Sequence, residues 1–524
     1  MSAQLVLING TWRPASASAT FQASNPATGD ELPEAYPVSA WEDIDAALSA
    51  AADAFAVLRQ TPRDTIAAFL DRFAERIEGR AGELVEMANQ ETALPVKPRL
   101  ADVELPRTTG QLRQAAAAAR TASWARPTID TSLNIRSCLE PIGPVCVFGP
   151  NNFPFAFGSA SGGDFAAAIA AGNPVIAKAN SSHPGTTRIF AEEAAKAIGE
   201  TSLPPATVQL LYRTSHADGE RLVSDPRIAA TGYTGSRAAG LKLKAAADQA
   251  GKPIYLELSS INPVVILPGA LQERGDELVG EFTTSCLMGT GQFCTNPGLV
   301  LLMDDERSRK FAADVATAFD EAAAGVLLSS GVASSLSAGL DRVLSLGAER
   351  LTKNTSCSPE GFRCPNTILS TTGQAFQQHA VGYQTELFGN ASLFVFCKSV
   401  QEMNAVVRRL EGNLTGCIYS SGDGSDDDAY GQVEPDLRQR VGRILNDKMP
   451  TGVAVTAAMN HGGPYPATGH AGFTAVGMPR AIERFAQLVC YDNVRPDRLP
   501  DILRDECKTP GVWRSVDGKW QSTS

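Results

Sequence analysis

The sequence predicts an α/β protein with two doubly wound parallel-sheet domains. Three observations carry this expectation. From Val145 onward, short apolar runs alternate with helical patterns. The runs are apolar throughout, as in strands covered on both faces. A second series of the same kind begins at Asn262, and 524 residues are too many for one core of ordinary size.

The elements follow in order. Residues 1–12, "MSAQLVLINGTW", read as a strand, an Asn-Gly turn and a second strand. Residues 61–92 are helical, with Ile66, Phe69, Leu70, Phe73, Ile77 and Leu84 on one face. "PVCVFGP" is a buried strand ended by Gly149 and Pro150. An Ala-rich helix over about 160–171 follows, closed by Gly172 and Asn173. "PVIAKAN", "ATVQLLYR", "IAATGYTG" and "PIYLELSS" then read as strands, separated by helices over 184–199, 216–224 and 236–248. In the second series, "NPVVILP" and "LVLLMDD" flank a helix over about 271–287. "NTILSTT", "SLFVFCK" and "LTGCIYSS" complete the series. The acidic run over residues 420–431 lacks the terminal Glu of a calcium loop. It reads as a turn feeding acidic caps into a helix N-terminus.

Composition excludes several classes. Net charge is −11 with no basic patch, which argues against nucleic acid as a partner. No apolar run reaches the roughly 18 residues of a membrane helix. The N-terminus lacks a basic segment followed by a long apolar run, so a cytoplasmic, untargeted protein is expected. None of the ten cysteines has C-x-x-C spacing. No metal site is expected, and reduced thiols are the simpler reading.

One cysteine has unusual neighbours. Cys294, in "GTGQFCTNPG", falls between a helix and a strand at the seam of the two units, where α/β proteins place ligands. A buried structural thiol is the alternative. Three segments change its context. Asn152, in "GPNNFPFAF", follows a strand and could donate to an oxyanion or bond its own loop. Glu257, in "LELSS", is a carboxylate in an apolar strand. Desolvation would raise its pKa and suit it to general-base work, unless it faces water from an edge strand. "GYTGSRAAG" joins a strand to a helix through Gly235 and Ser236 and would offer a helix N-terminus to a phosphate.

Together, "PNNFP", "VIAKAN", "GYTGS", "LELSSINP", "GQFCTNPG" and "TELFG" resemble the aldehyde dehydrogenase superfamily in order and spacing, over nearly the whole chain. "GQFCTNPG" and the "HGGPYPAT" loop look most like its α-ketoglutaric semialdehyde (2,5-dioxopentanoate) and NADP-preferring fatty aldehyde branch. The resemblance implies that Cys294 is the nucleophile, that Asn152 and the Cys294 N–H hold the oxyanion, and that Glu257 activates water. It places Lys178 on the adenosine ribose or its phosphate, and Gly235 and Ser236 at the pyrophosphate. Glu386 is placed on the nicotinamide ribose, with Leu258 and Phe388 also in the cofactor site. Ser181 stands where NAD-preferring relatives often carry a Glu. With Arg213 nearby to meet a 2′-phosphate, NADP is favoured over NAD. "ELSSINP" also departs from the common "ELGGKSP".

Family architecture places Phe153, the helix around 104–119 and the loop around 459–467 at the acyl tunnel. Arg107 and Arg113 could bind a substrate carboxylate there or lie on a solvated face, and His461 and Tyr465 could line the pocket. The expected reaction is NAD(P)⁺-dependent oxidation of 2,5-dioxopentanoate to 2-oxoglutarate. A fatty aldehyde dehydrogenase and a catalytically silent member of the fold are the alternatives. The resemblance further implies a cofactor domain over 1–123 and 142–260 and a catalytic domain over 261–486. It also implies a small β oligomerisation arm over 124–141 and 487–497, hence a homodimer or homotetramer. The tail over 498–524 has no clear counterpart in shorter relatives.

Overall fold

The computed structural model describes residues 3–16 and 19–523; the outermost residues of the expected domain spans, 1–2 and 524, lie outside that range. Two seven-stranded sheets dominate. The first runs, from one edge, Ile254–Glu257, Ala230–Thr234, Val145–Phe148, Val175–Lys178 and Val208–Leu211, all parallel. The N-terminal hairpin adds antiparallel Val6–Ile8 and Thr11–Arg13 at the other edge. Its turn residues Asn9 and Gly10 both have positive φ, as a two-residue hairpin turn requires.

Strand order reverses around Val145–Phe148: the chain moves outward to one side through Val175–Lys178, then returns to the other side with Ala230–Thr234. Such a switch point opens a crevice at the strands' carboxyl ends. Residues 149–152 and 234–236 leave the sheet there. The Ala-rich helix Gly163–Ala171 is apolar on nearly every side and correspondingly buried, and Gly172 closes it with φ +100°.

The second sheet runs Glu349–Arg350, Thr367–Thr372, Ala391–Cys397, Leu299–Met303, Pro263–Ile266, Asn413–Tyr419 and Val441–Asn446, parallel except at the Glu349 edge. Only residues 258–262 separate Glu257, at the end of the first sheet's edge strand, from Pro263 in the second. The seam between the sheets is therefore held by a short covalent link.

Two segments differ in detail from expectation. The pattern over 61–92 is two helices, Arg63–Gly79 and Ala81–Thr92, broken at Arg80. In the acidic run, Asp427 and Asp428 open the helix Asp427–Arg438 as expected, while Asp426 also accepts the N–H groups of Gly269 and Ala270 at the start of the helix Pro268–Leu287.

Besides a small sheet of Arg213–Thr214, Glu31–Ser39 and Thr20–Ser24, a fourth sheet has five strands: Ala486–Asp492, Ile135–Pro141, Thr128–Asp130, Trp513–Val516 and Lys519–Ser522. The tail thus adds two strands to the expected arm, pairing parallel with Thr128–Asp130 through Ser515 and Val516. Leu499, Ile502, Leu503 and Val512 bury the connecting segment. Register places Trp520, Ser515, Thr128, Ser137 and Cys490 on one face, with Trp513 and Leu488 two residues along. Leu488, Trp513 and Trp520 are 72%, 59% and 62% exposed on that face. Among the described residues no helix is long and apolar enough to cross a membrane.

Candidate active site

Cys294 follows a tight turn, Met288–Gly291, at the end of the helix Pro268–Leu287. Gly291 has φ +70°, and a Cβ there would lie 2.0 Å from the Gly389 carbonyl oxygen. Only glycine allows this approach, which presses the turn before Cys294 against the segment carrying Glu386 and Phe388. Asn262 Nδ2 fixes the other side, donating to the carbonyls of Cys294 and Asn296, each at 2.9 Å. Its Oδ1 in turn accepts the Ser260 and Thr415 hydroxyls. Asn262 was not singled out from the sequence; its only signal is its place in "SSINP".

Glu257 ends an edge strand, yet it is only 6% exposed. Residues 467–469 cover that edge: Leu258 N–H donates to the Ala467 carbonyl, and Gly469 N–H to the Leu256 carbonyl. The same loop delivers His461, which is buried. His461 Nε2 lies 2.9 Å from Glu257 Oε1 and 3.5 Å from Cys294 Sγ. The sequence placed His461 at the acyl pocket; the fold sets it on Cys294 and Glu257, more than 160 residues away along the chain.

This contact corrects one expectation. Burial alone would push the Glu257 carboxyl up, but the charge of His461 and the hydrogen bonds from His461 and Cys294, with Arg484 farther off, bring it below its ordinary value. Cys294 moves the other way. Burial drives its thiol well up, the adjacent Glu257 carboxylate adds to that, and the Arg107 guanidinium opposes it. The pair rests as thiol and carboxylate, so the sulfur needs a proton acceptor before it can attack.

Asn152 donates from Nδ2 to the Gln292 carbonyl at 2.9 Å, on the nucleophile loop. Its own loop is held by Glu104, which accepts the N–H groups of Phe155 and Ala156. Arg99 pairs with Glu104 and donates to the Asn152 carbonyl at 3.0 Å. The fully buried Glu104 is a positioning residue that no local motif marked. A cavity of about 560 Å³ opens beside Cys294, lined by Asn152, Gly235, Ser236, Glu257, Leu258, Glu386 and Phe388. Burial pushes the Glu386 carboxyl up to about 7, against the hydrogen bonds from Ser260 N–H and the Ser259 side chain.

A second cavity of about 600 Å³ shares Gly235 and Ser236 and extends to Lys178, Ser181 and Arg213. Ser236 caps the helix Arg237–Gln249, its hydroxyl accepting from Ala239 N–H. Burial lowers Lys178 to about 8. Lys178, Arg213 and Lys242 are offset by one carboxylate here, Glu220. A helix N-terminus, three cations and a long cleft fit a dinucleotide.

On the acyl side, Phe153, Phe157, Phe293 and Val476 form a buried apolar cluster, with Val453, Val455 and Met459 packed on it. The Arg107 guanidinium lies 5.3 Å from the Phe157 ring centroid and donates to the Val453 carbonyl at 2.7 Å. Its Nε and Nη2 are buried and find no partner among the described residues. Arg443, which the sequence did not mark, grips the neighbouring Pro450 and Gly452 carbonyls. Two expected substrate residues lie elsewhere. Arg113 forms a bidentate pair with Glu78 on an exposed helix face, and Tyr465 is 55% exposed with Arg237 over its ring. The helix that carries Arg107 turns Arg113 to a different face.

The aldehyde dehydrogenase family model matches residues 12–463. The chain belongs to the aldehyde dehydrogenase family. This aldehyde dehydrogenase is 37% identical over 525 residues to alpha-ketoglutaric semialdehyde dehydrogenase 2 of Azospirillum brasilense, covering 98% of each chain. It is 35% identical to alpha-ketoglutaric semialdehyde dehydrogenase of Acinetobacter baylyi, covering 88% of this chain and 89% of that one. Among solved structures it resembles an aldehyde dehydrogenase C mutant from Pseudomonas syringae complexed with NAD⁺ and octanal. There the TM-score is 0.79 at 19% identity, covering 95% of this chain and 98% of that one. It also resembles an NADP-dependent glyceraldehyde-3-phosphate dehydrogenase from Bacillus halodurans complexed with NADP. That TM-score is 0.77 at 19% identity, covering 94% and 100% of the two chains. At such identities the structural likeness speaks for the aldehyde dehydrogenase fold. The family's oxidation of aldehydes uses NAD(P)⁺.

Proposed function

We propose that this enzyme oxidises 2,5-dioxopentanoate to 2-oxoglutarate, with NADP⁺ preferred over NAD⁺. The observation that carries the substrate is Arg107, a guanidinium with two enclosed and unpaired donor nitrogens beside an apolar acyl site. A desolvated cation without an acidic partner is costly, and a substrate carboxylate would offset that cost bidentately. The two semialdehyde dehydrogenase relatives support the same substrate class.

In this reading the Cys294 proton passes by way of His461 Nε2 to Glu257, which releases it to solvent before the second half of the reaction, and Sγ adds to the aldehyde carbon. Asn152 Nδ2 and the Cys294 N–H stabilise the oxyanion of the thiohemiacetal. A bound NAD(P)⁺ would supply the hydride acceptor through which the thiohemiacetal on Cys294 becomes a thioester. Glu257, ionised again, takes a proton from water, whose oxygen attacks the thioester, and that proton passes to the departing Cys294 sulfur to restore the thiol. Lys178 and Arg213 hold the adenosine end, with Ser181 leaving room for a 2′-phosphate. Gly235 and Ser236 face the pyrophosphate, and Leu258, Glu386 and Phe388 surround the nicotinamide ribose.

We assign residues 1–123 and 142–260 to cofactor binding and 261–486 to catalysis. The exposed Leu488, Trp513 and Trp520 on one arm face support a homodimer or homotetramer. Ten free cysteines support a reducing, cytoplasmic setting.

The test is kcat/KM for 2,5-dioxopentanoate against hexanal, each with NAD⁺ and NADP⁺. A clear preference for the semialdehyde with NADP⁺ is expected. Higher efficiency with hexanal would favour the fatty-aldehyde reading, to which the Phe153 cluster is also suited.

A further inference from the structure

Cys294 Sγ, His461 Nε2 and a Glu257 carboxylate oxygen all lie within 4.8 Å of one another. They come from three separate segments: the nucleophile loop, the 461–468 loop and the end of an edge strand. Glu257 and His461 are 6% and 2% exposed, and Glu257 Oε2 is buried without a hydrogen-bond partner among the described residues. The cluster therefore brings together a sulfur, an imidazole nitrogen and a carboxylate with a spare oxygen.

Zinc binds thiolate at about 2.3 Å and imidazole or carboxylate at about 2.0–2.2 Å, tetrahedrally. Those lengths place neighbouring ligand atoms about 3.3–3.6 Å apart. The 3.5 Å between Sγ and Nε2 already fits. The 2.9 Å between Nε2 and Oε1 need open by only a few tenths of an ångström. Cys294 and Glu257 both line the cavity beside them, which leaves a fourth position for water. Sulfur and imidazole select zinc-like ions over magnesium or calcium.

We propose that Cys294, His461 and Glu257 form an inhibitory site for a zinc-like divalent ion. Binding exchanges protons for metal and changes no oxidation state: Sγ loses its proton to solvent, and Nε2 and the carboxylate give lone pairs to the ion. With its sulfur lone pair engaged, Cys294 cannot add to an aldehyde, and a chelator restores it. The site depends on these three side chains and not on which aldehyde is oxidised.

The test uses the full-length protein, stripped with EDTA and titrated with Co²⁺. One ion per chain and a near-ultraviolet sulfur-to-cobalt charge-transfer band are expected, with the band displaced by Zn²⁺ and unaffected by Mg²⁺. Zn²⁺ should also slow iodoacetamide alkylation of Cys294 more than tenfold, reversibly with EDTA. Cys294→Ser should abolish the band, and His461→Ala should weaken Zn²⁺ binding by more than about 100-fold. His461→Gln serves if the alanine variant does not fold. No band, a band that survives Cys294→Ala, or unchanged Zn²⁺ affinity in the histidine variant would overturn the site, and none of these readouts depends on the substrate assignment.

Discussion

His461 Nε2 sits 2.9 Å from Glu257 Oε1, a hydrogen-bond contact buried at the seam of the two large sheets. The same nitrogen reaches Cys294, so one imidazole links the thiol to the carboxylate, the proposed nucleophile and base. Replacing it with glutamine keeps a polar group but removes the proton carrier. His461→Gln should lower kcat about 100-fold, with NADP⁺ affinity retained, as steady-state rates and cofactor titration will show. Cys294→Ala should abolish oxidation and leave cofactor binding intact; normal turnover in that variant would unseat the nucleophile.

Arg107 separates substrate classes. Hydrogen bonds to charged groups contribute about 1.5–3 kcal/mol. Arg107→Met should therefore reduce kcat/KM for 2,5-dioxopentanoate by roughly 10- to 100-fold, chiefly through KM. Hexanal, with no carboxylate, should lose little. An equal loss for both aldehydes would make Arg107 structural. Arg113→Met should leave both substrates unaffected, because Arg113 is occupied by Glu78.

Cofactor affinity should depend on pH through Lys178. Burial lowers its ammonium to about 8, so the charged form prevails below that value and disappears above it. NADP⁺ binding, measured by fluorescence titration, should weaken as pH rises through about 8. NAD⁺, lacking the 2′-phosphate, should respond less. Lys178→Met should flatten the NADP⁺ profile.

The tail should matter for stability. Leu503 is fully buried where the chain turns from the arm toward its last two strands, and Arg136 donates to its carbonyl. Leu503→Ala should cost about 2–5 kcal/mol and lower Tm in a calorimetric scan. Unchanged Tm would show that the tail packs independently of the enzyme's core.

Much of this molecule was legible from local pattern. Apolar runs flanked by turn residues located the strands of both large sheets, because strands covered on two faces must be continuously apolar. Cys294, Asn152 and Glu257 sit in motifs short enough to read along the chain. The hairpin was legible in the Asn9–Gly10 pair, because both residues tolerate the positive φ that its turn adopts. The long helical pattern over 61–92 hid a break at Arg80, since the apolar face continues across it.

The sequence by itself determined the fold class, the order of the strands along the chain and the segment in which Cys294 stands, because each rests on local periodicity or a compact motif. Tertiary structure alone decided what surrounds that nucleophile. His461 lies 167 residues from Cys294 and 204 from Glu257 in the chain, and Arg107 lies 346 from the carbonyl it grips. Whether Arg107 or Arg113 faces the acyl site depends on how one helix is rotated against its neighbours. Whether Glu257 is raised or lowered depends on a loop folding over the edge of a sheet. Burial and charge at such a site are sums over groups distant in sequence, and only packing brings those groups together.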